Sequence, residues 1–540
     1  RFQQIWKGWA KNLLTSENPY TGMTLAEDPA VGFFELQNED NLFFYTFTEK
    51  KVGAKPWARI EALFLDWLED EYGSLAKARQ KWGDGSNHDH DSGERAGLFD
   101  AWHMTTDGMK QGSDGRRARI HDQMRFLAHQ QRSTYAMLTD YVKNELGFQG
   151  LVTASNWKAA DDATALAIER WTYTPTDVID RHGYFGGTHK GDRSGYSVLA
   201  GHEFEDRAAV LEPAESPMGY TQLVGRPHIH SENAWSKPNR LNADSQLLIG
   251  SYCALQGVDG WFMFAAHSAD WNKQPTNKWP MFMPSHYGQS PAVALQYRRG
   301  DVQESEPVLR QVQTVEELFQ PGQGGILEGK TDDFIVRRES GGADSGSIAG
   351  FDPLAYYVGR VERAILGVEG VPDGLEEMAV DLSRYIDRDA KLITSLTGEL
   401  RWDYDTGLVT VDTPRSQAAT GFLSKAGDID LTDLRITSNN DYGTVHVISL
   451  DDKPLADSER ILIQAFTREH MYGFRAENGR IADLGRAPIN VELIDATVML
   501  PGEGWEAVAL TGNGYERDAV PVDGNSITLP TDSLYTIVTR

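Results

Sequence analysis

Cysteine is almost absent: Cys253 stands alone in 540 residues, which excludes intramolecular disulfides and any multi-cysteine zinc site. It lies in Leu-Ile-Gly-Ser-Tyr-Cys-Ala-Leu-Gln, an apolar helical pattern, so a buried structural thiol is expected and not a nucleophile. No apolar run is long enough to span a bilayer, so no membrane partner is expected. Positive charge is also short. The 52 Lys and Arg residues face 79 Asp and Glu, a formal net charge of -27. Such a balance repels a phosphate backbone and argues against nucleic acid as a partner, while neutral substrates such as sugars are unaffected. A saline habitat is a second source of the same acidic excess. The chain opens on Arg-Phe-Gln-Gln-Ile-Trp with no methionine and no signal sequence, so the natural N-terminus is expected to lie upstream. Localisation stays open on these residues, with a secreted or periplasmic protein as the favoured expectation.

What is present reads as two textures. Phe2, Ile5, Trp6, Trp9, Leu13 and Leu14 recur at helical spacing, and Asn18-Pro19-Tyr20-Thr21-Gly22 ends that helix. Val31 to Leu36 is then a near-continuous apolar run, as buried parallel strands show. Helical patterns over Trp57 to Trp82 and Arg117 to Leu146 lead into a second strand, Gly150 to Trp157. Further strands are expected at Thr176 to Tyr184, Pro227 to Ser231 and Val258 to Ala265, with a helix over Asp244 to Leu255 before the last. Strands alternating with helices imply a parallel sheet with right-handed crossovers. Polar residues collect at the C-terminal ends of these strands, where eight-stranded barrels build their active sites.

Beyond about Pro321 short β-rich runs recur between Gly, Asp and Pro turns, predicting an all-β sandwich. The exception is a helical pattern over Leu354 to Leu366. Gly341 to Gly350 reads as a loop or linker. The division expected is 1–318 for the strand-and-helix domain and 319–540 for a β-sandwich accessory region. Asn87-His-Asp-His-Asp91 invites a metal, but it sits between helices without the helical His spacing of a hydrolytic zinc site, so a solvated loop and no metal are expected.

Two glutamates lie at strand ends: Glu39, closing Asp28-Pro-Ala-Val-Gly-Phe-Phe-Glu-Leu-Gln-Asn-Glu39, and Glu232, in Arg226-Pro-His-Ile-His-Ser-Glu232-Asn. These two segments resemble the fourth- and seventh-strand signatures of glycoside hydrolase clan A, retaining enzymes on a (β/α)8 TIM barrel. Phe64 to Gly83 is similar to the stretch after the acid/base strand in the β-galactosidase-type members. The resemblance covers about residues 1 to 300. It implies Glu39 as acid/base and Glu232 as nucleophile, Asn38 as the partner of the sugar 2-hydroxyl, and Tyr184 as the residue orienting the nucleophile. It also implies an eighth-strand tryptophan as the floor of a sugar subsite, for which Trp261 is the candidate. Asn156, Trp157, His182, His267 and Trp271 are further lining candidates.

The physics of the reaction fits such a pair independently. One carboxyl must hold a proton at neutral pH while the other is ionised, about 5 to 5.5 Å apart. Neither dipeptide is special by itself, since Asn-Glu recurs at Asn144-Glu145 and Ser-Glu-Asn at Ser16-Glu17-Asn18. Counting from Glu39 gives five strands, labelled four to eight by the resemblance. Strands one to three and the clan's second-strand arginine have no counterpart, so a separate N-terminal fragment completing the barrel is expected as a partner.

The function so implied is retaining hydrolysis of a β-linked poly- or oligosaccharide without a cofactor, a β-galactoside or galactan first, β-mannan or β-glucan next. The competing expectations are a catalytically silent carbohydrate-binding protein on the same scaffold, and an adhesion module centred on residues 320 to 540.

Overall fold

The computed structural model describes residues 2–266, 276–280, 282–320 and 351–540. His267, Trp271 and the Gly341–Gly350 segment lie outside the described residues.

Five short parallel strands organise the first half: β1 (Phe33–Glu35), β2 (Leu151–Thr153), β3 (Ile179–Gly186), β4 (His228–Ser236) and β5 (Gly260–Met263). β1 pairs with β2, β3 lies between the Thr153–Val178 bridge and β4, and β4 pairs with β5. α-Helices fill three of the four crossovers, and the fourth, residues 187–227 between β3 and β4, carries only short strands and two 3-10 turns. Among the described residues β1 and β5 have no strand on their outer sides, so the expected closed eight-stranded barrel is not seen. The row nevertheless bends, because Phe33 on the first strand meets Phe262 on the last with ring centroids 6.5 Å apart.

The helices follow their apolar spacing. α1 (Phe2–Thr15) lays Trp6 and Trp9 against Phe34, at 6.2 and 6.3 Å, so the outward ring of β1 is covered by indoles. The single helix expected over Trp57 to Trp82 is two, α2 (Ala54–Tyr72) and α3 (Leu75–Trp82). Gly73, at φ +82°, turns the chain left-handed between them, a conformation glycine adopts without a Cβ penalty. Ser74 then caps α3 by accepting from the Lys77 N–H. α4 (Asp114–Asp140) continues to Glu145 as one wider turn and packs on α5 (Asp162–Tyr173). α6 (Ser245–Gln256) is buried along almost its whole length, and Cys253 sits inside it as a core thiol.

Residues 351–540 are β-rich, as the turn-punctuated runs imply. A ten-stranded sheet and a five-stranded sheet share one apolar cluster, with Val445, Val447 and Ile463 of the first meeting Ile436, Val498 and Ile527 of the second. The helix expected over Leu354 to Leu366 is a single turn, Ala355–Val358, followed by the strand Arg360–Leu366. Gly359 interrupts it, and Val361 to Leu366 pair in parallel with Leu309 to Thr314, so sheet pairing overrides local helical spacing. That pairing also crosses the expected boundary at 318/319. Trp402 ties the halves together, its indole N–H donating to the Val210 carbonyl at 2.7 Å while its ring packs on Tyr252 of α6.

Candidate functional site

Glu39 follows β1 and Glu232 lies within β4, and their side chains converge. His182 Nδ1 is 2.7 Å from Glu39 Oε1 and 3.4 Å from Glu232 Oε2. One donor atom from each of the three residues lies within 4.8 Å of the others. The two carboxylates therefore share one space, and each keeps about a fifth of its side chain exposed, 22% and 19%. His182 itself is buried, with Nε2 3.0 Å from Ser231 Oγ. Burial pulls the imidazole below its ordinary range despite the opposing pull of Glu232 and Asp180. An imidazole held below its ordinary range thus turns one nitrogen, Nδ1, to both carboxyls.

Burial also raises Glu39, to about 7, so its carboxyl holds a proton over much of the neutral range. Its backbone is unusual, with φ +41° in the left-handed region that a non-glycine residue occupies at a cost of roughly 1–3 kcal/mol. Asn156 holds this conformation. Its Oδ1 accepts the Glu39 N–H at 2.9 Å, its Nδ2 donates to Asn38 Oδ1 at 3.2 Å and also to Glu35, and its own carbonyl accepts the His182 N–H at 3.1 Å. Asn156 is fully buried, so its amide serves the protein and does not line the cleft. Trp157 is likewise buried, edge-on to Phe44 and 6.3 Å from the His182 ring, which it backs. Asn38 is exposed beside Glu39.

Tyr184 donates its O–H to Glu232 Oε2. The neighbouring Gly183 is required by close approach, since a Cβ there would lie 2.1 Å from the Tyr220 hydroxyl, which donates to the His182 carbonyl at 2.7 Å. The Tyr184 ring belongs to an aromatic group with Phe264 and Trp279, at 6.0 and 5.7 Å.

Trp261 is not in that group. It packs perpendicular to Tyr297 at 6.3 Å, on the side of α6, away from the carboxylates. Alternation along a strand decides this: Trp261 and Met263 take one face, Phe262 and Phe264 the other. The floor expected from Trp261 is therefore a packing contact, and Phe264 with Trp279 supplies the aromatic surface beside Tyr184.

Glu35 was not anticipated as part of this cluster. It shares a face with Phe33, and burial, then Asp180, Glu232 and Glu39, raise its carboxyl to about 8, against the lowering effect of the Asn156 bond. Asp180 is buried beneath, accepting the Ser231 N–H at 2.9 Å, and burial raises it too. The available signal was parity: two residues from an inward Phe33 on a strand of period two.

Chemically the arrangement offers a carboxyl raised to about 7, a second carboxyl held by a phenol, an imidazole whose Nδ1 meets both, and aromatic rings alongside. No family model matches the chain, and comparison with curated proteins finds no match either.

Proposed function

We propose that the chain is a retaining β-glycoside hydrolase, with Glu39 as acid/base and Glu232 as nucleophile. The observation that supports this is the convergence of the two carboxyls on one atom, His182 Nδ1, with an oxygen of each within 4.8 Å of the other, close to the spacing of about 5 Å used by double displacement. In the first half-reaction Glu39 gives its proton to the departing glycosidic oxygen while Glu232 attacks the anomeric carbon and forms a glycosyl-enzyme ester. In the second, Glu39, now ionised, takes a proton from water, which attacks the same carbon and releases Glu232. Tyr184 fixes the Glu232 oxygen that does not attack, and Asn38 stands where a 2-hydroxyl can be met. Phe264 and Trp279 suit the C–H face of a pyranose ring.

The reading takes β1 to β5 as strands four to eight of a (β/α)8 barrel, with the β-rich region as a β-sandwich accessory. A polypeptide supplying three further strands is the partner it calls for. The exposed Phe33, Leu151 and Phe262 along the strand row, with Ile5, Trp9 and Leu13 on α1, are apolar surface of the kind such a partner covers. Mass analysis of the purified, folded protein should find that second piece, and a monodisperse 60.2 kDa species of full stability contradicts it.

β-Galactosides or galactan come first as substrate, from the Phe64 to Gly83 segment, then β-mannan and β-glucan. A panel of aryl β-glycosides and plant or algal polysaccharides tests the function: wild type turns over at least one and Glu232→Gln does not. Equal failure of both favours a catalytically silent sugar-binding protein.

A further inference from the structure

A second convergence of ligating side chains lies away from the carboxylate pair. The Asn87–Asp91 run, expected to be a solvated loop, folds back onto α2. One donor atom from each of Glu61, His88 and His90 lies within 4.8 Å of the other two. Glu61 is wholly buried on the helix, an expensive place for a carboxylate. Its Oε1 accepts from the Trp57 indole at 3.1 Å and the Leu98 N–H at 3.2 Å, and meets His90 Nδ1 at 2.8 Å. Its Oε2 has no hydrogen bond and faces Arg95 Nη1 at 3.2 Å, from a side chain 37% exposed and able to swing into water.

The loop is held in place before any ligand arrives. The Asp91 carboxylate accepts both Arg119 nitrogens, at 2.8 and 2.6 Å, the Gly97 N–H at 2.9 Å and the His88 N–H at 3.0 Å. His88 Nδ1 accepts the His90 N–H at 3.1 Å.

We propose that Glu61, His88 and His90 form a zinc site. Two imidazoles with one carboxylate are a nitrogen-and-oxygen set of the type borderline zinc takes, whereas calcium and magnesium select all-oxygen sets. The cation neutralises Glu61, displaces Arg95 to solvent and takes lone pairs from both imidazoles, with water as fourth ligand. Its effect is structural. It pins residues 84–97 to α2, whose Trp57 packs at 4.8 Å, tilted by 42°, against Phe47 in the segment just after Glu39. The zinc site is independent of the glycosidase reading.

The test is metal content and thermal midpoint after loading the whole chain with zinc chloride and removing excess. Wild type should retain one equivalent and lose thermal stability on chelation. His88→Ala and His90→Ala should each weaken zinc by at least about 100-fold, the upper end of what outer-shell changes cost. Because Glu39, His182 and Glu232 also present three donors, Glu39→Gln/Glu232→Gln is included and should keep its equivalent. Cobalt(II) substitution of wild type gives visible bands of a low-coordinate site without relying on any variant folding. Absence of stoichiometric zinc in wild type, absence of those bands, or loss of zinc only in Glu39→Gln/Glu232→Gln overturns the proposal.

Discussion

The Asn156 carboxamide accepts the backbone N–H of Glu39 at 2.9 Å, across 117 residues of sequence, and so fixes a left-handed residue that carries one of two opposed carboxyls. The same amide donates to Glu35 and Asn38, so its loss releases three groups at once. Asn156→Ala should lower kcat by about 100-fold, the scale of an ångström of misplacement, with KM little changed. Steady-state kinetics on the best substrate checks this split; a change confined to KM assigns Asn156 to substrate contact.

In the proposed hydrolysis the raised Glu39 carboxyl sets the pH dependence. Its protonated form is the active one in the first half-reaction, so kcat/KM should fall on an alkaline limb centred near 7. Glu39→Gln should abolish that limb and reduce turnover by about 100- to 10,000-fold, least for aryl glycosides whose leaving groups need no proton.

Glu35 makes a prediction about stability. Its folded-state carboxyl titrates at about 8, above the ordinary 4.5, so its protonated form is the one the fold favours. The associated stability is fully present below pH 4.5 and is lost as pH rises through about 8. Glu35→Gln should therefore flatten the decline of the thermal midpoint between those limits and raise it at the alkaline end. Melting curves across that range read the effect, and an unchanged slope contradicts the assignment.

Trp261 of β5 and Trp279 beside Tyr184 should separate cleanly. Trp279→Ala removes an aromatic surface beside Tyr184 and should raise KM with modest loss of stability. Trp261→Ala removes packing against Tyr297 and should cost about 2–4 kcal/mol of stability with KM unchanged.

The convergence of Glu39, His182 and Glu232 was legible in the sequence through local signals. Glu39 lies just past an apolar run, Glu232 sits inside β4 and not past the strand expected at Pro227 to Ser231, and Tyr184 lies two residues beyond His182 on one strand. Sequence reading failed where orientation is set by pairing. Trp261 opens the run Trp-Phe-Met-Phe, and only the register of β5 against β4 says that the phenylalanines, not the tryptophan, turn toward the carboxylates. Asn156 looked like a lining residue because it comes just after a strand. That its amide is consumed by Glu39, Glu35 and Asn38 depends on segments more than a hundred residues apart. The Arg360–Leu366 strand had helical spacing, and its parallel partner Pro307–Thr314 was invisible to any local window.

The measurement that tests the central claim most directly is trapping with an activated 2-fluoro glycoside of the preferred sugar, with peptide mapping of the product. Attack by Glu232 predicts one label per chain, on the peptide containing residues 228–236 and located at Glu232, with release accelerated by added acceptor sugar. A stable label on any other residue, or steady turnover of the natural substrate with no label and inversion at the anomeric carbon, contradicts it.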